Sequence, residues 1–287
     1  MKISRAALWI SLAVAVLAAA AAGLGLIWQA GSGPFEFTTV HGKMVQIHGE
    51  GLYRFDTPIV ALGSKAGDII TLCLAIPLLI VSAVLYRRGS FRGGLFLSGA
   101  FAYFLYTYGS LSLGTAYNNL FLLYVCLFGL SLFGLIIAAR SFDLTKLAAQ
   151  FSPRIPRRGV GVFCIVSGTV LALVWLALSI IPALLRGTHA EEAEYYTTFI
   201  TGVIDVGVLA PALIASGILL IRRAPLGYLW AAILLVFTMG LGPSLTLAGI
   251  FQVTSGAITV GQAMAFTVPF VILTLVDVWF TLAMYRR

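Results

Sequence analysis

The stretch IPLLIVSAVLYRRGSFRGGLFLSG, residues 76–99, decides what kind of molecule this is. An apolar run ends on Arg87 and Arg88, a short polar turn carries Arg92, and a second apolar run begins at once. A helix on the surface of a soluble protein keeps one polar face; neither run has one. Working outward, the pattern recurs, and eight apolar spans fall roughly at 7–28, 69–86, 94–113, 119–139, 160–184, 198–221, 226–247 and 263–284. About twenty helical residues cross a hydrocarbon core. Hydrophobic residues make up 60% of the 287-residue chain and charged ones 10%, where soluble domains carry about a quarter charged. The expected fold is an all-α polytopic membrane protein of eight transmembrane helices, with residues 1–287 forming a single integral membrane domain. Strands of a membrane barrel would alternate polar and apolar over about ten residues, and these runs do not.

Charge gives an expected topology. The segments 1–6, 87–93, 140–159, 222–225 and 285–287 carry fourteen of the eighteen Lys and Arg residues. The intervening loops hold Lys43, Arg54, Lys65 and Arg186, with seven of the ten acids. By the positive-inside rule both termini are expected in the cytoplasm of a bacterial-type plasma membrane. The first span, MKISRAALWISLAVAVLAAAAAGLG, also has the make-up of a cleavable signal peptide. Its apolar run is longer than a usual signal core and Trp28 sits as an interfacial anchor, so a retained span is the expectation.

Two extramembrane pieces stand out. Segment 29–67 is expected outside the cytoplasm as a β-hairpin around His41–Gly42, where glycine takes positive φ freely. GLYRFDTP, residues 51–58, is expected to pack it on the bundle or to cap an outer vestibule. GSKAGD, residues 63–68, reads as the turn into the second span with Asp68 as its N-cap. Segment 140–159 is a basic cytoplasmic loop whose Phe142, Leu144, Leu147 and Phe151 read as an interfacial amphipathic turn stopping at Pro153. PLLIVSAVLYRR (77–88) and PALIASGILLIRR (211–223) echo one another. They suggest a parallel 4+4 repeat with halves 1–140 and 160–287.

Chemistry is sparse. TGVIDVGVLAP, residues 201–211, sets Asp205 in an apolar run, and Asp277 stands likewise in LTLVDVWF. Acids at such depth usually face the bundle interior or a hydrated cavity. Pro211 withholds a backbone donor near Gly207, which makes Asp205 a candidate proton or cation site; Asp277 is a second. Tyr103 and Tyr106, three apart, are candidates to line a polar cavity open to the outside; the alternative is an aromatic belt at the outer interface with core packing. No Lys, Arg or His lies clearly within a span, which excludes a Schiff-base lysine and a buried histidine haem pair. In the hairpin segment His41, His48, Arg54 and Asp56 are the candidate interaction residues. Two histidines and an acid are metal-ligand types, but the spacing is no compact metal motif, and the identity of any metal is open. Cys73, Cys126 and Cys164 form no CxxC and read as small buried hydrophobes. There are no phosphate-loop, dinucleotide, nucleophile-elbow or zinc-protease motifs, so no catalytic residue is named and no cofactor is called for.

The leading expectation is therefore a small-solute or ion transporter of permease type. The basic loops would meet anionic lipid headgroups rather than nucleic acid, since no aromatic-interleaved basic patch exists. One alternative is a structural, assembly or sensor subunit that binds a protein partner through segment 29–67. Another is a membrane enzyme acting on lipid or quinone.

Overall fold

Prolines mark where these helices begin and where they bend. The computed structural model describes all residues except 40, 41, 154, 191, 192, 194, 286 and 287, with only the backbone of Phe266. Helix α1 is Arg5–Ile27, with the Ser4 side chain accepting from the Ala7 N–H at its start. Strands β1 (Phe35–Thr38) and β2 (Met44–Ile47) form an antiparallel hairpin with Phe35 opposite Ile47 and Thr38 opposite Met44. Then follow α2 (Pro58–Arg87), α3 (Phe91–Gly114), α4 (Phe121–Ala139) and the short α5 (Leu144–Leu147). The chain closes with α6 (Arg157–Arg186), α7 (Ile200–Ile221), α8 (Pro225–Thr254) and α9 (Val260–Tyr285).

Three helices carry the same irregularity. A π turn runs Thr71–Ala75 in α2, Leu176–Ile180 in α6 and Asp205–Leu209 in α7. Each is followed two residues on by a proline, Pro77, Pro182 or Pro211. The cause is steric: a proline ring clashes with the carbonyl four residues back and has no N–H to give. Widening the preceding turn relieves the clash, and the residue before each proline donates five residues back: Ile76 to Thr71, Ile181 to Leu176 and Ala210 to Asp205. The echo between 77–88 and 211–223 thus has a shared backbone device. Because α6 shares it too, and its 4+4 counterpart α1 has no proline, the echo reports proline geometry as well as any duplication.

Helix α8 is the axis of the packing. It lies against α2, α3, α7 and α9, while α6 runs along α7 and α4 along both α1 and α3. The α6–α7 seam closes through Gly161, Gly168 and Gly217; a Cβ on Gly217 would overlap the Gly161 carbonyl. Small residues that let backbones touch are how helices associate where lipid is as apolar as leucine. Trp9, Leu122, Leu178 and Leu275 stay more than half exposed on the perimeter, the surface expected to meet lipid rather than water. The protein is a helical, multipass membrane protein with a small β-hairpin.

Several expectations change. Seven helices among the described residues are long and apolar enough to cross a membrane: α1, α2, α4, α6, α7, α8 and α9. The remaining long helix is α3, whose tyrosines, serines and glycines dilute its apolar content. Seven is an odd number of crossings, and on that count the termini lie on opposite sides of the bilayer. The expectation of two cytoplasmic termini is overturned by it. Loop charge reports sidedness only once every crossing is counted, and the eight-span expectation counts residues 94–113 as one. GSKAGD is helix, not turn: α2 starts at Pro58 behind Thr57, so Asp68 lies inside the span and is not an N-cap. Two isolated glycines cost a helix only about 1 kcal/mol each, too little to break it. Cys164 is buried as expected, whereas Cys73 and Cys126 are exposed. In the basic loop Phe142, Leu147 and Phe151 are buried, and Leu144 is exposed.

Asp56 ties the hairpin segment to the loops between the bundle helices. Asp56 Oδ1 accepts from the Ala116 N–H at 2.7 Å and from the Tyr196 hydroxyl at 2.8 Å. Its backbone carbonyl accepts from the His48 N–H, joining the end of β2 to the same anchor. Asp56→Ala leaves two part-buried donors unmet, each costing up to about 1–3 kcal/mol. Limited proteolysis with mass spectrometry should then find cleavage between Glu36 and Arg54 that the wild type resists; an equally resistant variant would mean the hairpin is held by other contacts.

Candidate functional site

Asp205 opens the π turn of α7 and is 5% exposed. Two helices bring donors to it. The Tyr106 hydroxyl of α3 donates to Oδ1 at 3.0 Å, and the Trp175 indole N–H of α6 donates to Oδ2 at 2.9 Å. Trp175 directly precedes the π turn of α6, so this hydrogen bond joins two widened turns. The walls are aromatic: Phe199 meets Trp175 edge-on with centroids 4.9 Å apart, and Phe237 lies 5.4 Å from the Tyr106 ring. Both donors are neutral, and no basic side chain acts on the carboxylate among the described residues. Pro211 leaves one carbonyl of the same turn without its usual donor. This arrangement can hold a proton on the carboxyl or pair the carboxylate with a small cation.

Tyr106 and Asp205 are thus brought together; Tyr103 and Asp277 are elsewhere. Tyr103 is buried with its hydroxyl 3.3 Å from Ser244 Oγ on α8. Asp277 on α9 accepts from Thr238 Oγ1 of α8 at 2.9 Å, while its Oδ1 is buried without a hydrogen-bond partner, as is Thr281 Oγ1 one turn on. In the hairpin segment His41 lies outside the described residues. His48 Nε2 is 3.0 Å from Lys65 Nζ. Burial first, then Lys65, holds its imidazole below the ordinary histidine value, with Glu50 opposing, so at neutral pH it accepts from the ammonium. Arg54 lies over the Phe55 ring at 4.6 Å, and Asp56 is turned inward. No three His, Cys, Asp or Glu side chains gather as a metal site among the described residues.

Sequence reasoning missed a second buried acid cluster. Tyr53, in the loop after the hairpin, donates to Asp68 Oδ2 at 2.8 Å, and Tyr124 of α4 donates to Tyr53 at 3.5 Å. Gly25 of α1 closes over the pair: a Cβ there would overlap Asp68 Oδ2 and stand 3.0 Å from the Tyr53 hydroxyl. The available signal was Asp68 itself, ten residues inside a run that begins at Pro58. Trp175 and Thr238 carried no signal, since single polar atoms on apolar helices are common. Compared with known protein families, with characterised proteins and with solved structures, the chain matches none of them.

Proposed function

We propose that this chain is a small-solute or ion permease in which Asp205 holds the coupling proton or cation. The observation that carries the reading is the carboxylate's surround: buried, at a widened helical turn, with two neutral donors and no basic partner among the described residues. A buried charge without a counter-charge is costly, and a proton or cation relieves it. π turns inside α-helices recur at functional sites, and here two of them share the Trp175–Asp205 bond. Asp277, with one carboxylate oxygen unpartnered, is the second candidate station on α9, and Tyr103 would line the path beside α8. Exposed Arg87, Arg88, Arg158, Arg222 and Arg223 would hold anionic headgroups. The test is flux into proteoliposomes under imposed proton, sodium or potassium gradients, read with a pH dye and isotopic sodium or rubidium. Wild-type protein is expected to carry one of these, and Asp205→Asn to lose it while purifying as a folded species. Wild-type vesicles no leakier than empty ones, or an Asn variant as fast as wild type, would sink the reading.

A second reading has its own observation. Phe35 and Phe37, on one face of the hairpin, are 45% and 44% exposed, an apolar face suited to a protein partner of an assembly or sensor subunit. In that case Arg54 and His48 would flank the contact, and flux would be absent in every variant.

A further inference from the structure

A small cavity of about 70 Å³ opens where α3 passes to α4, lined by Leu111, Ser112, Thr115, Asn118, Phe121 and Tyr124. At about 30 Å³ of liquid volume per molecule it has room for roughly two waters. The Asn118 side chain interacts with the Tyr124 hydroxyl at this cavity, and the residue is 8% exposed. A cavity lined by Ser112, Thr115, Asn118 and Tyr124 gives a water several polar partners, which is what a water site needs. From the cavity wall the hydrogen bonds run inward in one sense, Tyr124 to Tyr53 and Tyr53 to Asp68. Three segments distant in sequence supply the three groups, and the α1 backbone at Gly25 seals them on the far side.

We infer that the cavity is a water-filled mouth from which Tyr124 and Tyr53 pass protons to Asp68, a proton-binding site separate from Asp205. In one passage a hydronium O–H bond breaks and an O–H forms on Tyr124. The original Tyr124 proton moves to Tyr53, and the original Tyr53 proton moves to Asp68 Oδ2. One water and one neutral carboxyl result, with both tyrosines again neutral. The 3.5 Å gap between the tyrosines is the long link, so closing it sets the rate. The titratable groups facing Asp68 are Tyr53, Tyr108 and Tyr124, with Asp56 acting on Tyr124 from the hairpin side. Burial, then Asp68, raises the Tyr53 hydroxyl well above its ordinary value, so it stays protonated and able to relay.

The test is infrared difference spectroscopy of the full chain in nanodiscs after a pH jump, following the carboxylic C=O stretch. Wild type should show a band that titrates reversibly and is absent in Asp68→Asn. Tyr53→Phe, which removes the hydrogen bond, should shift it and so assign it even where Asp68→Asn folds poorly. Tyr124→Phe should slow its response about tenfold or more, equivalent to about 1.4 kcal/mol of barrier, with the band's position little changed. Asp205→Asn should leave both alone, whatever it does to flux. An Asp68 band that does not titrate between about pH 4 and pH 10, or one that responds as fast in Tyr124→Phe as in wild type, would overturn the relay and leave a tie that only holds the loop.

Discussion

Asp205→Leu is expected to lower the yield of folded protein several-fold, and Asp205→Asn to leave it close to wild type. Leucine fills the volume but accepts nothing, so the Tyr106 hydroxyl and the Trp175 N–H lose their acceptor in a buried site. Each unmet donor costs about 1–3 kcal/mol, and two together are a large share of a typical stability of about 5–15 kcal/mol. Asparagine can meet both groups. Its oxygen accepts from Trp175, which can only donate, while its amide nitrogen donates to the Tyr106 oxygen, which can also accept. The charge is lost and the shape is kept. Folded yield by size exclusion in detergent, run beside the flux assay, separates the roles. Yield preserved in Leu would show that the two hydrogen bonds contribute little to folding.

Gly25→Ala is expected to destabilise the protein, and Gly23→Ala, two residues earlier on the same helix, to leave it unchanged or slightly more stable. A Cβ on Gly23 meets nothing within 4 Å, whereas one on Gly25 would overlap Asp68 Oδ2. In open space alanine is the better helix former by about 0.8–1 kcal/mol. At Gly25 the added carbon must push α1 from α2 or turn Asp68 away from Tyr53, and such overpacking costs about 1–3 kcal/mol. Tyr53 is fully buried and anchors the loop behind the hairpin, so the damage should reach residues 51–56. Hydrogen exchange should show lost protection there and in α1. Equal stability of the two variants would mean that the α1–α2 contact is looser than the geometry has it.

Not everything about the Asp205 site needed a structure. A carboxylate among Ile204, Val206 and Val208 announces itself, because such an acid carries an insertion penalty that something must offset. Tyr106 was legible as a neighbour only by its depth and its hydroxyl; that it, and not Tyr103, reaches Asp205 across 99 residues of chain was not. Asp68 was misjudged for a local reason. Gly63, Ser64, Lys65 and Gly67 precede it, a composition that in water would be a turn. Inside a helix packed on α1 and α8 the same glycines cost little.

The amino-acid sequence by itself determined the membrane class, the apolar runs and the hairpin. Those depend on what each segment can be surrounded by and on local backbone preference, and both are written residue by residue. The tertiary structure alone decided which helices touch and which polar atoms meet: Trp175 with Asp205, Thr238 with Asp277, Tyr53 and Tyr124 with Asp68. In a water-soluble helix the apolar stripe points at the core and so predicts its partners. In a bilayer the outward face is apolar as well, so the stripe vanishes and the facing of each helix is left to glycine contacts, proline-widened turns and single hydrogen bonds.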